Sequence, residues 1–251
     1  MKNLMTIQFW IFISKIKLNK ATISKIFDFY VLKISELISK FQFNVKQFLE
    51  PYWSKHVVFE EFPIAGSKMS LDFFKLNKDK KTLLILGGSL GALKINEFIK
   101  LNLNYFKKLG IQILWQCGNN YLEKYRSHES DIIKVKPFIK KMNYAYKAAD
   151  YIVSRAGASV ISELCIVGKP VIFIPSPNVA EDHQTKNAMS IVNLNSAEIV
   201  REKDLNTDFS RVFEKIFTNK EYSSRLSASI KKIERPKATE DIVNHIINFL
   251  K

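Results

Sequence analysis

The stretch LLILGGSLGALKIN, residues 83–96, decides the fold class of this chain. It consists of a short apolar run, a turn with three glycines and the start of a helical pattern. A strand that ends in glycines and restarts as a helix presents backbone N–H groups at a helix N-terminus, where an anion binds. The spacing is neither that of the dinucleotide fingerprint nor that of the P-loop. Two interpretations stay open, a phosphate-binding turn of another kind and a tight turn without a ligand.

Apolar runs and helical patterns alternate from about residue 80 onward. The apolar runs are TLLIL (82–86), IQILWQC (111–117), DIIKV (131–135), YIVS (151–154), KPVIFIP (169–175) and SAEIV (196–200). The helical candidates are residues 92–109, 120–127, 139–149, 158–167 and 183–194. Six strands separated by helices predict an α/β fold, a Rossmann-like parallel sheet with helices on both faces. Residues 206–251 predict two closing helices with Pro236 as the breaker between them.

The N-terminal region has a different character. Residues 1–47 contain no glycine or proline, and ISKIFDFYVLKISELISKF (23–41) has apolar residues at intervals of three and four. This spacing predicts an amphipathic helix, which either packs on a domain or lies on an anionic membrane surface. We therefore expect residues 1–70 to form a mostly helical N-terminal remnant and linker, and residues 71–251 to form the Rossmann-like domain.

The composition narrows the class of partner. The net charge of +15 suggests an acidic partner. Lysine is abundant together with asparagine, isoleucine and phenylalanine, which is typical of an AT-rich genome. The lysines also occur as scattered pairs and do not form one basic face, which argues against nucleic acid as the partner. The two cysteines, Cys117 and Cys165, lack metal-ligand spacing and predict buried thiols in a reducing compartment. The apolar stretch 4–14 is too short to span a bilayer.

Four segments are expected at the carboxyl edge of the sheet, where doubly wound folds bind their ligands. The first is GGSLGA (87–92), in which Gly87, Gly88 and Gly91 shape the turn and Ser89 adds a hydroxyl donor. The second is SRAGASVISE (154–163), in which Gly157 opens a second helix. Glu163 follows inside that helix, and it either accepts the two hydroxyls of a ribose or is a solvated carboxylate that complements the helix dipole.

The other two segments offer polar and apolar contacts. In PSPNVAEDHQTKNA (175–188), Gln184 and Asn187 share one helix face and are able to read sugar hydroxyls or an amide. His183, at the start of that helix, is a candidate base, although capping or solvation is the commoner role there. In VKPFIKKM (135–142), Phe138 and Ile139 offer an apolar wall and backbone amides to a flat ring.

In this order and spacing, the four segments resemble the C-terminal half of the bacterial glycosyltransferases that complete lipid II. That family comprises the UDP-N-acetylglucosamine–N-acetylmuramyl-(pentapeptide) pyrophosphoryl-undecaprenol N-acetylglucosamine transferases. The resemblance runs from about residue 48 to the end and implies a GT-B fold, whose C-terminal domain binds the nucleotide sugar. It also implies an N-acetylglucosamine transfer from UDP-N-acetylglucosamine to the lipid-linked muramyl-pentapeptide, by inverting displacement, on the inner face of the cell membrane.

The resemblance implies a role for each site residue. Ser89 and the amides of its loop would meet the diphosphate, Ile139 would face uracil, and Gln184 would touch the N-acetylglucosamine. Glu163 would take the ribose hydroxyls. The phosphate and ribose would be lined by Ala158, Ser159, Val160, Ile161 and Ser162. No Asp-x-Asp motif occurs, so we expect no metal and no cofactor, with helix N-termini balancing the leaving diphosphate.

The chain also departs from the family pattern. The family's G-G-T-G-G-H loop, which carries its expected general base, has no counterpart, since the first glycine is Gly66. Ala65 stands where the family has a donor-contacting arginine, and Val160 replaces a small hydroxyl residue. We therefore expect that the N-terminal half of the family is missing from this sequence. Three explanations stay open: a separate polypeptide supplies that half, the assigned start is wrong or frameshifted, or the gene is decaying. The alternative function is a non-catalytic UDP-sugar-binding or partner-binding remnant.

Overall fold

The structure, a computed structural model, describes residues 67–237. Up to Arg235, these residues belong to one compact unit. The amphipathic helix predicted over 23–41 and the rest of the predicted N-terminal remnant up to residue 66 lie outside the described residues, as do residues 238–251. The division predicted between residues 70 and 71 falls inside the first described helix and stays a prediction.

The described elements alternate as the sequence predicts. The strands are β1 (Thr82–Leu86), β2 (Gln112–Gln116), β3 (Ile133–Lys136), β4 (Tyr151–Ser154), β5 (Val171–Phe173) and β6 (Glu198–Ile199). The helices are α1 (Ser67–Phe74), α2 (Leu93–Leu101), α3 (Leu103–Lys108), α4 (Leu122–Tyr125), α5 (Met142–Ala148), α6 (Ala158–Val167), α7 (His183–Val192), α8 (Leu205–Thr218) and α9 (Lys220–Lys231). Short 3₁₀ turns flank α4 and precede α7 and α8.

All six strands form one parallel sheet in the order β3-β2-β1-β4-β5-β6. The chain moves outward from β1 to β3, and then returns to place β4 on the other side of β1. In doubly wound folds this reversal is the point where ligands bind, because the loops after the two central strands leave in opposite directions. The predicted α/β Rossmann-like fold class is confirmed.

Strand β1 shows how the sheet separates two layers of the core. Its side chains alternate, so that Leu83 and Ile85 enter one buried cluster while Leu84 and Leu86 enter the other. The first cluster is covered by helices that include α2, α3 and α8, and the second by α1, α5, α6 and α7. A strand that is buried on both faces reads as a continuous apolar run, which is why TLLIL was recognisable.

Two helix boundaries differ from the prediction. The single helix predicted over 92–109 is divided at Asn102, whose side-chain amide donates to the Phe98 carbonyl at 2.8 Å and so competes with the helix backbone. The single closing helix predicted ahead of Pro236 is also divided, because α8 ends at Thr218 and α9 ends at Lys231. Asn219 then caps α9 by accepting the Tyr222 backbone N–H at 2.9 Å. The closing helix predicted after Pro236 lies outside the described residues.

Among residues 67–237, none of the helices combines the length and the apolar character that crossing a bilayer requires.

Candidate functional site

The loops that follow the central strands begin side by side at the carboxyl edge of the sheet. Leu86 pairs with Gln116 on one side and with Ser154 on the other, and Ser154 pairs with Phe173. The Arg155 backbone N–H donates to the Leu86 carbonyl at 3.2 Å. The turn 87–92 and the turn 155–157 therefore start next to each other, at the topological reversal.

The first glycine turn is shaped by backbone packing. Gly88 and Gly91 have φ of 85° and 81°, and the Gly91 N–H donates to the Gly88 carbonyl at 3.1 Å. A Cβ atom at Gly91 would lie 2.0 Å from the Cys117 carbonyl oxygen, and one at Gly118 would lie 2.3 Å from the Leu90 carbonyl oxygen. Side chains at positions 91 and 118 would thus separate two backbone segments that touch.

Asn96, the last residue of the stretch 83–96, fixes the position of the first glycine turn. Asn96 on α2 is fully buried; its side-chain amide donates to the Cys117 carbonyl at 2.8 Å, and its oxygen accepts the indole N–H of Trp115 at 2.9 Å. A buried amide with donor and acceptor both paired has one stable orientation. Asn96 therefore holds the start of α2 against the end of β2.

The first glycine turn exposes two of its residues to solvent. Ser89 and Leu90 are exposed, whereas Gly87 is buried. Helix α2 begins after Ala92 without a side-chain cap. The N–H groups of the first helical turn have no intrahelical acceptor, because no carbonyl of the helix precedes them by one turn. They are therefore available to an anion.

The second glycine turn has no such steric requirement. Gly157 has φ −69° and ψ 146°, which any residue adopts, and a Cβ atom placed on it meets nothing within 4 Å. It precedes α6, which also begins without a side-chain cap. The fold therefore leaves open space at this helix N-terminus and does not itself require a glycine there.

Within α6, the predicted site residues divide into two groups. Ser159 is exposed and Val160 is half-buried, so both reach the surface near the helix start. Ile161 is 4% exposed and packs in the core, and the Ser162 hydroxyl donates to the Ala158 carbonyl at 3.2 Å. A ligand would thus meet the backbone at 158–160 before it met the side chain of Ile161.

Glu163 is not the solvated carboxylate that the alternative interpretation predicts. Its Oε2 accepts a hydrogen bond of 2.6 Å from the hydroxyl of Tyr146, which is 3% exposed on α5. Burial raises the pKa of Glu163, and the hydrogen bond from Tyr146 lowers it in part. Burial and the nearby Glu163 also raise the pKa of Tyr146, which keeps the phenol protonated as a donor.

Gln184 is fixed by the backbone of two loops. Its Oε1 accepts the N–H of Ser176 at 2.9 Å and that of Ala156 at 3.3 Å. Because both partners are donors, the oxygen must face them and the NH₂ group is left for other contacts. Asn187, one turn further on, donates to the Ala156 carbonyl at 3.2 Å. The predicted shared face of Gln184 and Asn187 is therefore turned toward the β4 loop.

His183 lies at the start of α7. Its Nδ1 is 2.9 Å from the Ala180 carbonyl, and because a carbonyl only accepts, Nδ1 carries the hydrogen of this contact. The preceding residues Glu181 and Asp182 have positive φ values of 54° and 51°. Such backbone is costly for residues other than glycine, and Asp and Asn tolerate it best. The contact does not cap α7, because a capping side chain accepts a backbone N–H and this helix has no side-chain cap. The role of His183 as a base stays a prediction.

Ile139 has a different environment from the one predicted. Its side chain is 3% exposed, and its N–H donates to Gln116 Oε1 at 2.9 Å. The Gln116 NH₂ group donates in turn to the Gly88 carbonyl at 3.0 Å. Phe138, at 47% exposed, is the neighbouring ring open to a ligand. Gln116 thus joins the first glycine turn to the 137–139 segment, a link that the motif reading missed because Gln116 lies inside an apolar run.

Arg155 is a second residue that the motif reading missed. Its Nη1 donates to the carbonyls of Ile174 and Pro175 at 3.0 and 2.9 Å and lies 2.6 Å from Glu202 Oε2. Both side chains of the Arg155–Glu202 pair are largely buried, at 13% and 14% exposed. Arg155 therefore ties the second glycine turn to the loop after β5. Arg155 lies inside the segment SRAGA (154–158), and this position was the feature of the sequence that could have pointed to its role.

The part of the chain between residues 67 and 237 brings no three histidine, cysteine, aspartate or glutamate side chains close enough together to hold a metal ion. The expectation of a metal-free site stays a prediction.

Comparison with known proteins places this geometry in a family. Residues 82–242 match the model of the glycosyltransferase family 28 C-terminal domain. The chain belongs to this family. The predicted resemblance is thereby confirmed for the C-terminal domain.

Similar proteins carry the name that the motifs suggested. A UDP-N-acetylglucosamine–N-acetylmuramyl-(pentapeptide) pyrophosphoryl-undecaprenol N-acetylglucosamine transferase of Christiangramia forsetii is 49% identical over 177 residues, 70% of this chain and 48% of the relative. One of the same name from Flavobacterium psychrophilum is 49% identical over 182 residues, 72% of this chain and 50% of the relative. The chain spans about half the length of the curated relatives it matches.

A solved structure agrees with these relatives. The crystal structure of Acinetobacter baumannii MurG is similar with a TM-score of 0.59 and 30% identity, covering 71% of this chain and 53% of that one. The fold class, a GT-B type C-terminal domain, is confirmed.

Proposed function

We propose that the described domain binds UDP-N-acetylglucosamine as the donor of a hexosyltransferase in peptidoglycan synthesis. The acceptor is the undecaprenyl-pyrophosphoryl-muramyl-pentapeptide, which the enzyme meets at the inner face of the cell membrane. The single observation that carries the proposal is the pair of helix N-termini without side-chain caps at the topological reversal, with Glu163 about one and a half turns inside the second helix.

The diphosphate fits between the two glycine turns. The first-turn amides of α2 and α6 and the Ser89 hydroxyl supply donors, and the two helix dipoles favour negative charge. The open space at Gly157 supports this placement, since the backbone alone does not call for a glycine there. In the transfer step the same groups stabilise the leaving UDP as charge develops on it.

The nucleoside and the sugar extend to opposite sides of the diphosphate. Glu163 accepts the ribose hydroxyls, and the uracil lies against the Phe138 ring and the backbone of Ile139 rather than the buried Ile139 side chain. The NH₂ group of Gln184, whose oxygen is already occupied, donates to the N-acetylglucosamine. Asn187 and His183 lie on the same helix as Gln184, and they contact the carbonyls of Ala156 and Ala180.

Calorimetry on the full chain tests the proposal. We expect UDP and UDP-N-acetylglucosamine to bind in the micromolar to millimolar range and more tightly than ADP, because the family resemblance implies that the segment with Phe138 and Ile139 faces uracil. Equal affinity for UDP and ADP would remove the uracil site.

The ribose assignment has its own test. Glu163→Ala should weaken UDP by about 10-fold or more, because both ribose hydroxyls lose a charged acceptor, and it should leave pyrophosphate nearly unchanged. Equal losses for the two ligands would show that Glu163 does not hold the ribose.

A further inference from the structure

The hydroxyl of Tyr146 is held in one position by burial of the ring and by a hydrogen bond to Glu163. The ring belongs to the same buried cluster as Ile161 of α6, and the residue is 3% exposed. Its hydroxyl donates to Glu163 Oε2 at 2.6 Å. A buried phenol needs a partner for its O–H, so the ring and the carboxylate fix each other's position.

This hydrogen bond leaves most of the carboxylate free. A carboxylate offers about four acceptor positions on its two oxygens. Tyr146 takes one position on Oε2, and within residues 67–237 no other hydrogen bond reaches Glu163. Oε1 and the second position of Oε2 therefore remain as a pair of adjacent acceptors.

A pair of acceptors suits a vicinal diol, which brings two O–H donors. A protonated carboxyl group would instead present a donor of its own to one of the hydroxyls. Burial favours that protonated form by raising the pKa of Glu163, and the Tyr146 hydroxyl opposes it by donating to the ionised form. The phenol thus supports both the orientation and the charge that a diol requires.

We propose that Tyr146 is a positioning residue that holds the Glu163 carboxylate for the 2′- and 3′-hydroxyls of the donor ribose. The Tyr146–Glu163 pair thereby makes the site selective for ribonucleotides over 2′-deoxyribonucleotides. This inference rests on the proposed function, because it requires Glu163 to face the ribose.

Dissociation constants of the full chain for UDP and 2′-deoxy-UDP test the inference. The unaltered protein should prefer UDP by about 10-fold, since the deoxynucleotide lacks one hydrogen bond to a charged acceptor. Tyr146→Phe should weaken UDP by about five-fold and leave 2′-deoxy-UDP nearly unchanged, because only the oriented second acceptor is lost. Tyr144→Phe is the matched control, a half-buried tyrosine on the same helix that packs against Phe73, and it should change neither constant.

A merely structural tie between α5 and α6 would give another pattern. Tyr146→Phe would then weaken UDP and 2′-deoxy-UDP by the same factor, and that result would overturn the inference. If Tyr146→Phe fails to fold, Glu163→Gln replaces it, since glutamine still accepts from the Tyr146 hydroxyl. Glu163→Gln should lower UDP affinity to that of 2′-deoxy-UDP, and an unchanged preference would overturn the inference.

The two proposals fail differently. Absence of UDP binding by the unaltered chain contradicts the proposed function and removes the inference with it, whereas equal binding of UDP and ADP contradicts only the uracil site. Selective UDP binding combined with an unchanged ribose preference in Tyr146→Phe contradicts the role of Tyr146 alone.

Discussion

The two glycine turns at the carboxyl edge of the sheet look alike in sequence but are built differently. The turn 87–92 is held by backbone contact, since Gly91 has a positive φ and touches the Cys117 carbonyl. The turn at 155–157 is held by the Arg155 side chain, while Gly157 has an ordinary backbone and open space around it. The fold explains the first glycine, whereas the described backbone does not require the second.

Gly91→Ala should have the largest effect on stability. The added methyl group collides with the Cys117 carbonyl, and the residue must keep φ near 81°. We expect the free energy of unfolding to fall by about 3 kcal/mol or more, measured by urea denaturation. Gly110→Ala is the control, because Gly110 also has a positive φ, of 70°, but open space, and it should cost only about 1–2 kcal/mol. Equal losses would show that the contact with Cys117 does not matter.

Arg155→Gln should have the next largest effect. It leaves Glu202 without its cation, so we expect a loss of about 2 kcal/mol in the free energy of unfolding, since the pair is largely but not fully buried. Arg211→Gln, in an exposed pair with Asp208, provides the control and should cost less than about 0.5 kcal/mol. A change at Arg155 no larger than that at Arg211 would show that the second turn is held by something else.

Gly157→Ala should separate folding from binding. We expect the free energy of unfolding to stay within about 0.5 kcal/mol of the original value, because the backbone is compatible with alanine and the methyl group meets no protein atom. UDP affinity should nevertheless fall by about 10-fold, since one methyl group intrudes where the phosphate approaches. Unchanged affinity for UDP would mean that the diphosphate lies elsewhere.

Glu163→Gln should have the smallest effect on stability, with the opposite sign. Because burial raises the pKa of Glu163, the ionised carboxylate opposes folding at neutral pH, and this cost disappears as the pH falls through the raised pKa. Thermal unfolding should therefore show a slightly higher Tm for the variant at pH 7, with the difference shrinking on acidification. A variant less stable than the original at pH 7 would contradict this sign.

The motifs predicted the fold and the segments that meet, because strand runs and glycine turns are local patterns. They placed Gly88, Gly91 and Glu163 at one edge, and the strand order brings their segments there. Pattern reading failed where a polar residue acts across distant segments. Gln116 bridges two loops from within an apolar run, and Tyr146 reads as one more aromatic on a helix.

The backbone environment of Ile139 was equally hidden from the sequence. The segment VKPFIKKM predicts that the Ile139 amide is open to a flat ring, but in the structure Gln116 already occupies that N–H. A side-chain acceptor 23 positions earlier in the chain cannot be paired with Ile139 without the register of β2 and β3.

Hydrogen exchange of the full chain with and without UDP-N-acetylglucosamine tests the central claim most directly. A diphosphate held between the two turns must hydrogen-bond the first-turn amides of α2 and α6. We predict slower exchange in peptides that cover 87–95 and 157–162, and no change at the opposite edge of the sheet, in 148–151 and 168–171. Protection that spares both glycine turns, under conditions where the ligand is bound, would contradict the assignment of this edge as the donor site.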